Sequence, residues 1–279
     1  MKKITDKTIK EFRNYLMNEE KAAATVEKYI RDLTAFAVWL GYTELSKEKV
    51  LEYKEYLREH YAPASVNSVL ASLNSFFDYK ELYGLKVKNL KIQKQIFARK
   101  EKELTKAEYE QLLKAAKRQG NRKLFLLMQT ICSTGIRVSE LQYITLAAIK
   151  AGRAEIDLKG KARIVIIPDV LCRVLKKYAV EQKISSGSIF ISKSGKPLDR
   201  SNIWKMMKAL CESAGVSKDK VFPHNLRHLF ARTYYSIEKD IARLADILGH
   251  SSIETTRLYT MESGDVHRKQ IQKLGLLRL

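Results

Sequence analysis

The chain has 279 residues, of which 45% are apolar and 30% charged, and a formal net charge of +21. That length and composition suit a soluble globular protein with apolar residues enough for two cores. They exclude a membrane-spanning one, since the longest apolar runs, LFLLM at 124–128 and IVII at 164–167, fall far short of the ~20 residues a bilayer requires.

The charge also sets the partner class. Both the segment up to residue 103 and the remainder are basic, so nucleic acid is the expected partner, with an affinity that falls steeply with salt. The N-terminal MKKITDKTIK is not followed by an apolar stretch, so no signal peptide is expected. Cys132, Cys172 and Cys211 lie too far apart in sequence for a zinc site or a disulfide framework. A reducing cytoplasm is the expected location.

Taken in chain order, the first elements are helical. One helix precedes residue 20. A second spans Ala22 to Leu40, where Val26, Tyr29, Ile30, Leu33, Phe36, Ala37 and Leu40 form a 3.6-residue stripe. A third follows Ser46, and a fourth starts at Pro63, with Val66, Val69, Leu70, Leu73, Phe76 and Phe77 as its stripe. The run KVKNLKIQKQIFARKEK at 86–102 breaks this periodicity with seven cations against one acid, and reads as a linker lying along a phosphate backbone. The expected boundaries are a helical domain over 1–88, a basic linker over 89–103, and a second domain over 104–279 with a tail over 262–279. Lys91, Lys94, Arg99 and Lys100 of the linker are expected DNA contacts.

Thr105 and Glu108 open the second domain with a capping box. Residues 154–158 and 163–167 flank KGKA as a β-hairpin, and SIFIS at 188–192 reads as a further strand. The rest reads as helix, including one that starts just after Gly135 and one capped by Ser251 with Glu254. The expected fold class is mainly α with a small antiparallel β-sheet.

Candidate chemistry concentrates in three places. In HNLRH, His224 and His228 stand at i and i+4 as paired zinc ligands would, but Asn225 fills the position of the catalytic glutamate and no third ligand follows. No metal and no cofactor are therefore expected. Arg227 lies on the same turn as His224. In STGIRVSEL, Arg137 is a cation at a helix start, where the dipole disfavours it; Glu140, or an anion held in front of the helix, would offset that. In LGHSSIETTRLYT, Tyr259 follows His250 by nine residues. Arginines to neutralise non-bridging oxygens, a tyrosine nucleophile, a base and a loop lysine as acid together suit phosphoryl transfer without metal.

TGIRVSEL, HNLRH, and LGH followed nine residues later by tyrosine resemble the signature boxes of the tyrosine recombinases, the integrase family that includes the Xer proteins. The resemblance spans nearly the whole chain. It implies a helical core-binding domain of SAM-like type and a mixed α/β catalytic domain that close around DNA. It also implies roles. Arg137, Arg227 and His250 would hold the scissile phosphate, His224 would assist proton transfer, and Tyr259 would attack to leave a 3′-phosphotyrosyl enzyme. Lys159 would protonate the 5′-oxygen, with Lys161 as the alternative because the turn KGKAR is one residue shorter than the common KGxKxR form. Glu140 would brace the site, His228 would pack beneath it, and Lys161 and Arg163 would touch DNA.

The implied partners are double-stranded DNA recombination sites and three further copies of the chain, giving a homotetramer on DNA from a monomer or weak oligomer in solution. The reading favours integration or excision of a mobile element. Dimer resolution of the Xer kind, DNA inversion and type IB topoisomerase-like relaxation are the alternatives. A DNA-binding module without catalysis is disfavoured because all six catalytic positions are filled.

Overall fold

The computed structural model describes residues 3–41, 43–92, 102–158, 161–259 and 272–273, with the side chains of Leu158 and Lys161 outside what is described. The chain divides into two compact units, Met1–Lys94 and Gln95–Leu279.

The first unit is built from α1 (Asp6–Asn18), α2 (Ala23–Trp39), α3 (Lys47–His60) and α4 (Pro63–Tyr79). Local chemistry sets the starts. Thr5 and Ser46 accept backbone N–H bonds from Thr8 and Lys49, and Pro63 occupies the first turn of α4. Phe12, Leu16, Leu33, Phe36, Leu70, Leu73, Phe76 and Phe77 close the core. One polar network crosses it: the buried Asp32 carboxylate accepts from Lys28 Nζ at 2.5 Å and from Ser72 Oγ at 2.7 Å, joining α2 to α4. Beyond α4 the chain turns back along it. Asn74 exchanges two hydrogen bonds with the backbone of Val87 (2.9 and 3.0 Å), and Asn67 does the same with Leu90 (3.0 and 2.7 Å). Two asparagines thus act as surrogate strand partners, so the first residues of the basic run lie strapped to this unit. Lys91 follows the strap and is exposed. Lys94, Arg99 and Lys100 lie outside the described residues.

The second unit starts with α5 (Lys106–Arg118), whose Thr105–Glu108 capping box is present with bonds of 2.8 and 3.1 Å. There follow α6 (Arg122–Thr134), a 3-10 turn at Val138–Tyr143, α7 (Leu146–Ala151), β1 (Arg153–Leu158) and β2 (Lys161–Ile166). Then come α8 (Asp169–Glu181), α9 (Arg200–Ala214), α10 (Pro223–Glu238), α11 (Ile241–Leu248) and α12 (Ile253–Arg257). β1 and β2 pair antiparallel in the register Ile156↔Arg163 and Leu158↔Lys161. That arrangement is the expected class, mainly α with a small antiparallel sheet.

Three local expectations need correction. SIFIS forms no strand of the sheet; Ser188 and Ile191 make only isolated bridges to Thr145 and Pro197, because Ile189 and Phe190 serve as core residues in an irregular segment. The helix after Gly135 is a 3-10 turn. α12 is capped by Ser252, which accepts from Glu254 N at 3.3 Å, and not by Ser251.

Gly135 ends α6 in the left-handed region (φ +63°), and a Cβ there would meet the Phe230 ring at 2.5 Å. Only glycine lets α10 approach this helix end so closely. Gly135→Ala combines that overlap with left-handed strain, and is expected to destabilise the second unit by about 2 kcal/mol or more. Urea denaturation of the full chain measures it; an unchanged midpoint for the second unit contradicts the close approach.

Candidate active site

The site gathers around the end of α11. The last carbonyls of a helix have no partner within it and carry the negative end of its dipole. Here three consecutive ones accept from three different guanidiniums. Arg163 Nη1 donates to Ile247 O at 3.1 Å, Arg227 Nη2 to Leu248 O at 2.7 Å, and Arg137 Nη2 to Gly249 O at 3.0 Å. Gly249 makes this possible by turning the chain at φ +60°. Arg227 also donates to Gly135 O, the carbonyl of the residue that ends α6.

One carboxylate serves two of these cations. Glu140, 3% exposed, accepts from Arg137 N and Nη1 at 2.9 Å each and from Arg163 Nη2 at 2.5 Å. Burial alone would raise its pKa, but the Arg163 guanidinium together with the Arg137 N–H groups holds it below the usual carboxylate range. Three guanidiniums against one carboxylate leave the pit positive. Arg227 is buried (1% exposed), and burial with the neighbouring Arg137 lowers its pKa to about 10, a pull that Tyr259 partly opposes.

The imidazoles sit among these cations. An arginine can only donate, so the 3.0 Å contact from Arg227 Nη2 makes His250 Nε2 an acceptor; its proton is then on Nδ1, which donates to Thr256 Oγ1 at 2.8 Å. Burial, then Arg227, Arg137 and Arg163, push the His250 pKa down to about 4. His224 is lowered by burial, Arg227, Arg137 and Arg200. His228 falls to about 3, chiefly through burial and His224. At neutral pH all three rings are uncharged, able to accept a proton.

Tyr259 lies just past α12 and is 5% exposed. Its ring stacks on His250 (centroids 5.8 Å apart) and meets the edge of His228 at 4.8 Å, while His228 meets His224 at 4.4 Å. Ala231, Leu244 and Leu248 close the apolar side.

The structure therefore brings together Arg137, Glu140, Arg163, His224, Arg227, His228, His250 and Tyr259. Arg163, expected to face DNA, is turned inward with its side chain 13% exposed. Lys159 lies outside the described residues, as does the side chain of Lys161. Thr256, which holds His250, and Arg200, whose charge reaches His224, were missed. Arg200 opens α9, and the argument made for Arg137, a cation in a first turn, would have found it. No group of three His, Cys, Asp or Glu side chains suited to a metal occurs among the described residues. No described helix is long and apolar enough to cross a membrane.

Residues 102–264 match the phage integrase family, and residues 9–83 match the phage integrase N-terminal SAM-like domain. The chain belongs to the phage integrase family. This integrase-family chain is 26% identical over 285 residues to tyrosine recombinase XerA of Pyrococcus furiosus, covering 99% of itself and 96% of that protein. It is 30% identical over 292 residues to tyrosine recombinase XerD of Staphylococcus saprophyticus, covering 96% and 97%. Two solved structures share its fold. One is XerH bound to palindromic difH in a post-cleavage complex (TM-score 0.75, 19% identity, 96% of this chain and 83% of that one). The other is a lambda integrase dimer bound to a COC′ core site (TM-score 0.73, 18% identity, 92% and 77%). The integrase-family chain is a tyrosine recombinase, a site-specific DNA recombinase.

The lowered imidazoles predict a pH dependence. Histidine titrates at about 6.5 in an unfolded chain, so on acidification the unfolded state binds the protons first. The stability these rings contribute is intact above that value and is lost as the pH falls toward about 4 for His250 and about 3 for His228. The thermal midpoint should drop through this window, and His228→Gln should flatten the drop. A variant with the same slope as the parent contradicts the burial assigned to His228.

Proposed function

We propose that this tyrosine recombinase cleaves and rejoins double-stranded DNA through a 3′-phosphotyrosyl intermediate formed by Tyr259. The observation that carries the reading is the positive pit: three guanidiniums, one carboxylate, and a tyrosine ring packed against the imidazoles beside them. A scissile phosphodiester supplies the missing negative charge. Arg137 and Arg227 hold its non-bridging oxygens, where fixed, always-charged forks stabilise the extra charge of the transition state. His250 lies beside Arg227, and once the phosphate displaces their contact a proton on His250 Nε2 lets that ring donate to it as well.

The Tyr259 oxygen attacks phosphorus while its proton passes to neutral His224. The bond from phosphorus to the 5′-oxygen breaks, and Lys159 donates the proton that makes the 5′-hydroxyl a leaving group. The phosphotyrosine conserves the energy of the broken diester. A 5′-hydroxyl from the partner strand reverses the step, so joining requires neither nucleotide hydrolysis nor a metal. Arg200 and Lys91 hold flanking phosphates.

Rejoining onto a different strand needs two sites held together, so the working form is a homotetramer on paired sites in the cytoplasm. The segment 264–276 packs onto a neighbouring copy and couples the sites; apart from residues 272 and 273 it lies outside the described residues. A chain ending at Met261 should bind single sites normally but fail to form synaptic tetramers in native gels. Tetramers with regulated cleavage would remove the tail from this role.

The biological task proposed is integration or excision of a mobile element, since the segment after Tyr259 departs from the Xer pattern. Xer-type dimer resolution is the second reading, favoured by similarity to XerA and XerD proteins over nearly the whole chain. Sites cross-linked to the protein in cells distinguish them: a pair flanking an element supports the first, a single chromosomal site the second.

A nicked suicide substrate tests the chemistry. The parent chain should form a covalent 3′-adduct in the presence of EDTA. Tyr259→Phe should abolish the adduct with DNA affinity retained, and Arg137→Ala should slow its formation by roughly 100-fold or more. An adduct that persists in Tyr259→Phe would assign the nucleophile elsewhere.

A further inference from the structure

Arg163 has the charge of a DNA contact and the surroundings of something else. It sits on β2 opposite Ile156, and its guanidinium is turned to Glu140 and to the end of α11. Nη2 donates to Glu140 and Nη1 to Ile247 O. Nε is buried with no partner among the described residues, and the side chain is 13% exposed. Its methylene and guanidinium lie flush against Gly249, where a Cβ would overlap Cδ. Burying a guanidinium with one N–H unsatisfied costs stability, and an apolar side chain of similar size would fill the space with less penalty. Packing alone therefore does not explain an arginine here.

We infer that Arg163 is a positioning residue of the phosphate clamp, acting through Glu140 on one side of Arg137 and through residues 247–249 on the other, and not a contact to DNA. This rests on the clamp role proposed above for Arg137, Arg227 and His250. The geometry gives Arg137 two anchors, the Glu140 carboxylate and Gly249 O. Arg163 touches the first and packs against the residue that carries the second. It shares Glu140 Oε2 with the Arg137 backbone N–H, and it is packed against the very glycine whose carbonyl receives the Arg137 fork. The next residue is His250. One planar fork thus sets the spacing between two of the phosphate-holding groups. Lysine, with a single point charge on a flexible stem, cannot bridge the carboxylate and Ile247 O in that way.

The experiment uses full-length Arg163→Lys and single-turnover cleavage of two suicide substrates. One carries the natural scissile phosphate; the other has a methylphosphonate there, which is neutral and leaves the clamp no charge to hold. The variant is expected to cleave the natural substrate about 10-fold or more slowly, with site affinity and its salt dependence within about 2-fold of the parent. On the methylphosphonate the deficit should shrink to about 3-fold or less. The two substrates control for folding, because a damaged fold slows both alike. Gly249→Ala should reproduce the defect in the parent and add little to Arg163→Lys, since the two changes disturb one contact.

A deficit as large on the methylphosphonate as on the phosphate overturns the proposal, as does a variant that cleaves like the parent. Weakened binding with a shallower salt dependence would return Arg163 to the DNA surface and overturn it too. A parent chain that forms no adduct with either substrate would instead overturn the proposed function on which the inference stands.

Discussion

Three guanidiniums converge on three successive carbonyls at the end of one short helix, and the rest of the site is arranged around that constraint. A helix C-terminus has carbonyls to spare and a negative dipole end, so it can hold cations without spending side chains on them. Ile247, Leu248 and Gly249 supply these acceptors while Gly249 turns the chain. Arg137 arrives from the turn after α6, Arg163 from the hairpin and Arg227 from α10. Segments far apart in sequence are thereby fixed to one point, and the chain leaving it carries His250 and then Tyr259. Glu140 is the one carboxylate of the cluster among the described residues and ties two of the three together.

Neutral imidazoles follow from the same constraint. A ring placed beside buried guanidiniums cannot itself hold charge cheaply, so burial and the arginines keep His224, His228 and His250 deprotonated. That is the state a proton acceptor needs. On the proposed function, the cations that would hold the phosphate also keep the imidazoles free to take a proton, and neither property requires a separate device.

Much of this was legible in the sequence, for identifiable reasons. Helices with long apolar stripes, such as α2 and α4, and one opened by a capping box, α5, were readable because periodicity and capping chemistry are local. Arg137, Glu140, His224, Arg227, His250 and Tyr259 were singled out by residue type and spacing, and the structure brings them into one pit. What was not legible depends on packing. SIFIS has strand composition, yet Ile189 and Phe190 are used by the core without a neighbouring strand to pair with. Ser251 and Ser252 offer the same hydroxyl one residue apart, and the turn at Gly249 decides between them. Arg163 is the sharpest case. Its sequence context shows only a cation on a hairpin, and nothing local reveals that the strand directs it inward onto a carboxylate some twenty residues earlier and a carbonyl some eighty residues later.

The single carboxylate among three guanidiniums has a further consequence. Among the described residues, the repulsion among Arg137, Arg163 and Arg227 is only partly offset by Glu140 and the carbonyls. A phosphodiester bound as proposed relieves it, and affinity and folding stability are then thermodynamically linked. DNA is then more than a surface on which this fold acts. On that proposal it completes the charge balance of the second unit, and a site with its phosphate in register stabilises the enzyme at the moment it becomes a substrate.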